Sequence, residues 1–477
     1  MHALTLAGLR FFRVSSIIEL KEHTSQSVPI DIIAGVIEGF YGQPWSQLER
    51  FQLFEWMVAW GLNTYLYAPK DDLKHRAIWR ESYSIDEEQK LRELIEACKK
   101  RHLRFIYAIS PGLDINYSSQ SELDALVRRF EQLIRLGCRH FALLFDDIPD
   151  RMEAADRDRF GSFASAQCHI ANTLFAWCRK QLPKSLFFFC PTPYCERMEK
   201  QQLGGKDYLA TIGRELIPEI DVFWTGPEII SREITVAHIA ELQSVLRRKP
   251  LIWDNLHAND YDGRRFFCGP YAGRPPELRN MVRGFLSNPN NEFPLNFIPL
   301  RTLGQFIRSN GSWDARNAYL AAMREWAASF GTIGTPIPEE DLILLGDCYY
   351  LPHEDGPEAN LLYESANTVL HSPERGEDAQ LKIFREKAIR LRACCAKLAE
   401  LRDRPLFYAL SRRIWELREE LDLLIQFTAP DRETQSQKVV QVINSHLPGT
   451  YRGGMVSRLQ RLLLQRPDGT FTSASKP

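Results

Sequence analysis

Two observations in the sequence predict a (β/α)8 (TIM) barrel followed by an all-α helical bundle. Eight short apolar stretches alternate with amphipathic helical stretches between residues 32 and 310, and beyond that only helical periodicity continues. The eight begin at Ile32, Leu62, Arg104, His140, Ser185, Asp221, Leu251 and Phe293, roughly 30 to 45 residues apart, the length of one strand-plus-helix unit. Their span of about 270 residues matches a closed eight-unit barrel. An open doubly wound sheet is the alternative, but eight regular units favour closure.

Taken in order, the stretches IIAGVIEGF, LNTYLYAP, RFIYAISPG, HFALLFDD, SLFFFCPT, DVFWTGP, LIWDN and FPLNFIPL are near-continuous apolar runs, the pattern of strands buried on both faces. Between them, Ser84–Arg101, Ser121–Gly137 and Asp156–Lys180 repeat Leu, Ile, Phe and Ala at three- and four-residue spacing. Ser84 and Ser121 are placed as N-caps and Gly137 as a helix stop. After Pro299 comes a helix over Asp314–Phe330, then the turn-rich hinge GTIGTPIP. Two heptad-like stripes follow. The first is Leu381, Phe384, Ala388, Leu391, Cys395 and Leu398; the second is Phe407, Leu410, Ile414, Leu417, Leu421 and Leu424. Pro405 separates them, so they predict an antiparallel helical hairpin inside a bundle, with packing against a second copy as the alternative. The expected organisation is an N-terminal extension (1–31), the barrel (32–310), the helical domain (311–465) and a polar, frayed tail (466–477).

Composition narrows the function. Lys+Arg number 60 against 61 Asp+Glu, so no basic surface argues for nucleic acid, and a mean hydropathy of -0.30 with no long apolar run argues against a membrane span. Ten cysteines without CxxC spacing read as reduced, packed thiols. The first 28 residues lack the continuous apolar segment of a secretion signal. A cytoplasmic setting is expected.

The expected strand ends carry the chemistry, because in a barrel of parallel strands the reacting groups sit where strands give way to loops. Glu38, Tyr41, Lys70, Asp71, Asp72, Asp114, Asp146, Asp147, Tyr194, Trp224, Trp253, Asp254, Asn255, His257, Asn259 and Asp260 fall there. Carboxylates, amides and aromatic faces with one obvious lysine suit a neutral, many-hydroxyl ligand such as a sugar. No GxxxxGK[ST] or GxGxxG motif invites a nucleotide cofactor, and no GxSxG elbow a serine nucleophile. A metal centre from Asp71, Asp72, His75, Asp146, Asp254 and His257 lacks the paired histidines of barrel metallohydrolases. Cys190 and Cys195 read as packed thiols. Asp146 and Asp147 stand out: two carboxyl groups in one enclosed site push their pKa values apart, which is what glycoside cleavage asks for, although a simple turn ending the strand is an equal reading of the residues alone. Adjacent residues on a strand face opposite ways, so both aspartates reach one site only if the strand breaks between or just beneath them.

The stretches GVIEGFYGQPW from Gly35, LNTYLYAPKDDLKHR from Leu62, FIYAISPGLDI from Phe105, FALLFDDI from Phe141, CPTPYC from Cys190, WTGPEI from Trp224, PLIWDNLHANDYDGRRFFCGPYAGR from Pro250 and NPNNEF from Asn288 resemble the O-GlcNAcases of glycoside hydrolase family 84. The likeness continues into YYLPHEDGP from Tyr349 and YRGG from Tyr451. Those enzymes remove β-linked N-acetylglucosamine from Ser and Thr. The resemblance implies substrate-assisted retention: the sugar's 2-acetamido oxygen attacks the anomeric carbon to form an oxazoline. Asp146 would orient and polarise the acetamido N–H, and Asp147 would act first as general acid and then as general base. It further implies that Gly39, Lys70, Asn255, Asp260 and Asn290 hold the sugar, that Tyr194 bonds the developing oxazoline, and that Trp253 and Cys190 line the acetamido pocket. No cofactor or metal is implied. The implied partners are O-GlcNAc-modified proteins and, through the stalk-like helical domain, a second copy of the chain. Pro193 departs from the glutamate of the animal enzymes, and no counterpart is evident of their long insert, of their acetyltransferase-like domain, or of the domain that precedes the barrel in several bacterial relatives. Cleavage of glycans such as hyaluronan fragments, and GlcNAc binding without cleavage, are the alternatives.

Overall fold

In the computed structural model the described residues are 32–149, 152–371, 379–429 and 453–474. The extension 1–31, Asp150, and Tyr451 and Arg452 of the YRGG motif lie outside them. Eight parallel strands close into a barrel in sequence order: β1 (Ile33–Glu38), β2 (Thr64–Tyr67), β3 (Arg104–Ile109), β4 (His140–Leu144), β5 (Phe187–Cys190), β6 (Asp221–Trp224), β7 (Leu251–Asp254) and β8 (Gly284–Ser287). Closure runs through β1, where Gly35 pairs with Thr64 of β2 and Ile33 with Gly284 of β8. Both glycines are required by close approach: a Cβ on Gly35 would lie 1.7 Å from the Thr64 carbonyl oxygen, and one on Gly284 1.9 Å from that of Ile33. Ile37, Leu66, Ile106, Ala142, Leu144, Phe188, Phe223, Leu251 and Leu286 pack in a buried core cluster at these strands, the layered filling that makes such barrels solid.

Seven strands fall where the apolar runs predict them; the eighth does not. FPLNFIPL is a 3-10 turn (Phe293–Asn296) leading into a helix (Phe297–Arg308), and the last strand is the four-residue GFLS just before it. The reason is Pro294 and Pro299, which cannot donate to a ladder but suit the opening of a helix. Ile298, Leu303, Phe306 and Ile307 then bury one helical face.

Local chemistry explains the helix ends. Ser84 and Glu87 form a reciprocal capping box at Ile85–Lys100, and Gly137 takes a left-handed φ of 104° at the end of Gln120–Leu136. Ser119 rather than Ser121 occupies the N-cap position of that helix. The expected helix Asp156–Lys180 is two, Ala154–Phe160 and Phe163–Gln181, divided at Gly161 (φ 73°). Asp314 caps Ala315–Trp326 through a 2.9 Å bond from the Asn317 N–H.

The heptad stripes form helices Ala379–Lys397 and Arg404–Phe427, with Asp403 as cap and Pro405 in the first turn. Phe384, Ala388, Leu391, Cys395, Leu410, Ile414, Leu417, Leu421 and Leu424 are buried within the chain itself, so the stripes are internal core. The second helix grips the loops beyond β7 and β8: Arg413 meets Glu292 at 2.6 Å and Arg264 meets Glu416 at 2.7 Å. Where a frayed tail was expected, Leu463–Gln465 and Phe471–Ser473 pair as an antiparallel ribbon. Among the described residues no helix is long and apolar enough to cross a membrane.

Candidate active site

Strand β4 ends at Leu144, and Phe145 still donates its N–H to the Cys190 carbonyl at 3.0 Å. Asp146 follows as a buried carboxylate, and at Asp147 the chain turns into the left-handed region with φ 49°. That turn is the break that puts both carboxyl groups into one pocket. Such a conformation costs an L-residue other than glycine roughly 1–2 kcal/mol, least for Asn and Asp, so the surrounding contacts must hold it.

The contacts differentiate the pair. Asp146 Oδ2 is paired with the Lys70 ammonium, whose side chain is almost fully buried, while Asp146 Oδ1 is buried and has no partner in the protein. Burial pushes the Asp146 carboxyl up, but Lys70 and then Arg76 more than offset it and hold it below the usual carboxylate value. Asp147 is exposed to the pocket, and its two oxygens accept from tyrosine hydroxyls, Tyr194 at 2.8 Å and Tyr41 at 2.9 Å. Both phenols are held above their ordinary range, by burial first and then by the charge of Asp147, so they remain donors.

The walls come from other strand ends. Trp253 at the end of β7 lies against Gly39, where a Cβ would stand 2.7 Å from the indole. The Trp253 indole N–H donates to Asn255 Oδ1 at 3.0 Å, and Asn255 donates to the Ile229 carbonyl at 2.9 Å. Lys70 Nζ sits 5.9 Å from the ring centres of Tyr41 and Trp253. Asp260 accepts the Tyr41 backbone N–H at 3.0 Å; burial, aided by the charge of Asp147, raises its carboxyl above the usual value. Burial and the nearby Asp146 push the Cys190 thiol up, so it packs as a neutral group. Together these residues line a cavity of about 590 Å³.

Nine of the ten residues expected from the sequence therefore meet in one pocket: Gly39, Lys70, Asp146, Asp147, Cys190, Tyr194, Trp253, Asn255 and Asp260. Asn290 does not. It is fully buried, accepting the Phe267 N–H at 2.8 Å and donating to the Phe267 carbonyl and to Asn296 Oδ1, each at 2.9 Å, so its amide is spent on the Phe267 backbone and the Asn296 side chain. Asn288 lines the pocket instead, donating to Asn255 Oδ1 at 2.9 Å with its own Oδ1 unpartnered. Both stand in NPNNEF, and only the end of β8 at Ser287, which the apolar pattern misplaces, tells them apart. Tyr41, Thr225, Ile229, Ile230, Ala258 and Tyr261, with Glu228 bonded to Arg197 at 2.6 Å, complete the lining. Tyr41 is among the strand-end residues the sequence singles out, but its bond to Asp147 is visible only in the structure.

The other acids and histidines serve separate networks. Asp72 accepts from Tyr67 and Tyr83, both at 2.7 Å, and Asp254 is forked by Arg274 at 2.7 Å. His75 Nδ1 and His257 Nε2 face the carbonyls of Ala108 and Gly269. Among the described residues no group of three His, Cys, Asp or Glu could hold a metal ion.

A family model described as β-N-acetylglucosaminidase matches residues 34–334, the whole barrel and this pocket. The chain belongs to that β-N-acetylglucosaminidase family. It is similar to the protein O-GlcNAcases of Rattus norvegicus and Mus musculus, each 49% identical over 278 residues, 58% of this chain. The match spans only 30% of the length of those relatives. A solved O-GlcNAc hydrolase mutant of Thermobaculum terrenum superposes with a TM-score of 0.72 at 31% identity, covering 83% of both chains.

Proposed function

We propose that the chain is a retaining β-N-acetylglucosaminidase that removes O-linked GlcNAc from Ser and Thr of proteins by substrate-assisted catalysis. The observation that carries this reading is the division of labour in the dyad. Asp146 Oδ1 is a buried, anionic, unpartnered acceptor, suited to an acetamido N–H, and beside it the accessible Asp147 is set between two hydroxyl donors. A proton acceptor on the acetamide raises the nucleophilicity of its carbonyl oxygen toward the anomeric carbon. Asp147, one residue on, donates a proton to the leaving oxygen and then takes one from water. Lys70 keeps Asp146 ionised, so the two carboxyl groups hold different roles. Tyr194 stands ready for the developing oxazoline, and Gly39, Asn255, Asp260 and, in place of Asn290, Asn288 serve the sugar.

The protein substrates rest on the names of the relatives. A cytoplasmic setting is supported by ten buried, unbridged cysteines. Pairing of two copies through the helical domain rests on the outward face of Arg404–Phe427, where Tyr408 and Trp415 are exposed. The test of the activity is hydrolysis of 4-nitrophenyl β-N-acetylglucosaminide: it should proceed while the corresponding β-glucoside, lacking the acetamide, is left intact. Sugar binding without release would point to a lectin instead.

The two asparagines give a separable expectation. Asn290→Ala should cost about 1–3 kcal/mol of stability, because the Phe267 backbone groups lose their partner, seen as a lower denaturation midpoint. Asn288→Ala should raise KM with a smaller change in the midpoint. The reverse pattern would restore Asn290 to the sugar site.

A further inference from the structure

We propose that Arg76, which does not itself line the pocket, is the positioning residue of the dyad: its guanidinium holds the main-chain carbonyls of both aspartates and so fixes the left-handed turn that aims Asp147. The proposal rests on the reading of Asp147 as the proton-transferring group. Arg76 Nη2 donates to the Asp147 carbonyl at 2.6 Å, and Nη1 reaches the Asp146 carbonyl at 3.4 Å and Ser110 Oγ at 3.2 Å. The guanidinium carbon also lies 5.9 Å from the ring centre of Tyr41, whose hydroxyl donates to Asp147 Oδ2. One buried side chain thus touches the backbone of the turn and the phenol that orients its carboxylate.

The charge of Arg76 has no carboxylate within ion-pair distance among the described residues. A buried guanidinium is costly unless its N–H groups find acceptors, and here backbone and hydroxyl oxygens accept from both terminal nitrogens. Its base is rigid. The loop between β2 and the helix Ile85–Lys100 is folded on itself by Asp72, which accepts from Tyr67, Tyr83 and the Lys74 N–H, and is tied to β3 by His75. The same loop supplies Lys70 to the Asp146 side chain, so six residues of sequence separate the group that charges the dyad from the group that shapes it. Lysine would not reproduce it, because its single nitrogen lacks the planar fork whose two ends reach the Asp147 carbonyl and the Asp146 carbonyl with Ser110.

The test uses the full chain with Arg76→Lys and Arg76→Gln against aryl β-N-acetylglucosaminides whose leaving groups run from dinitrophenol to phenol. Misaiming a general acid should lower kcat about 100-fold for phenol and less than tenfold for dinitrophenol, with KM little changed and lysine failing to rescue. Equal losses for every leaving group, or none, would overturn the proposal. A crystal structure of either variant reads the same point without activity: Asp147 should leave its left-handed φ or its tyrosine partners, and an unmoved turn would also overturn it. Failure of the wild-type chain to cleave any of these substrates would count against the glycosidase reading and leave the structural arm to decide the role of Arg76.

Discussion

Asp147→Asn is expected to lower kcat by about 10²–10⁴-fold on substrates with poor leaving groups, the range removed with a positioned general acid, and much less on a dinitrophenyl glycoside that needs little protonation. The fold should survive, for two reasons. Asp147 is exposed to the pocket rather than buried, and asparagine is at ease at φ 49°, where aspartate already sits. Tyr41 and Tyr194 retain an oxygen to share. Steady-state rates across leaving groups, measured with the unfolding midpoint, separate the chemical loss from a structural one. Wild-type rates would refute the role.

Asp146→Asn is expected to act on both chemistry and stability. Its amide cannot match an anion as acceptor for the acetamido N–H, so the rate should fall by about 10²–10³-fold, the size of loss typical when one electrostatic stabiliser is removed. The loss should be similar for every leaving group, because the step affected is attack by the acetamide. That uniformity distinguishes it from Asp147→Asn. Removing the carboxylate also leaves the Lys70 ammonium buried and unpaired, which costs about 3–5 kcal/mol when one member of a buried pair is lost. The wild-type pair carries a pH signature. Because the Asp146 carboxyl is held below its ordinary value, its stabilisation is present above about pH 4, the unfolded value, and is lost as pH falls through the folded value. Asp146→Asn should therefore be less stable at neutral pH and less sensitive to acid, as unfolding midpoints from pH 7 down to about pH 3 would show; parallel curves for the two proteins would count against the ion pair.

Much of this site was legible because buried strands announce themselves. FALLF, FFFC and LIWD are apolar on both faces, and polar residues directly after such runs in a barrel have few places to go but the pocket. The requirement that the chain break at the aspartates followed from strand geometry alone, and Asp147 at φ 49° meets it. What the pattern could not show was anything depending on a short or proline-bearing element. GFLS, with a glycine and a serine at its ends, does not stand out beside FPLNFIPL, and the resemblance alone pointed to Asn290, whereas Asn288, two residues earlier, lines the pocket. Arg76 closes the second matching motif, yet the sequence pattern assigns it no role, because it reaches the dyad through backbone carbonyls, which carry no residue identity. The helical stripes identified a hairpin correctly, but whether their apolar faces served one chain or two was decided only by the packing of Leu391, Cys395, Leu417 and Leu421 within the fold.

In the proposed mechanism the substrate's own acetamide is the nucleophile and Asp146 its activator. That assignment is tested most directly by replacing the N-acetyl hydrogens of an aryl β-N-acetylglucosaminide stepwise with fluorine and measuring kcat/KM on the wild-type chain. Fluorine withdraws electrons from the carbonyl oxygen without altering the leaving group, so attack by that oxygen predicts a steep, progressive fall from acetyl through difluoroacetyl to trifluoroacetyl. Rates that stay level across the series would assign the attack to a group of the protein or to water and contradict the mechanism.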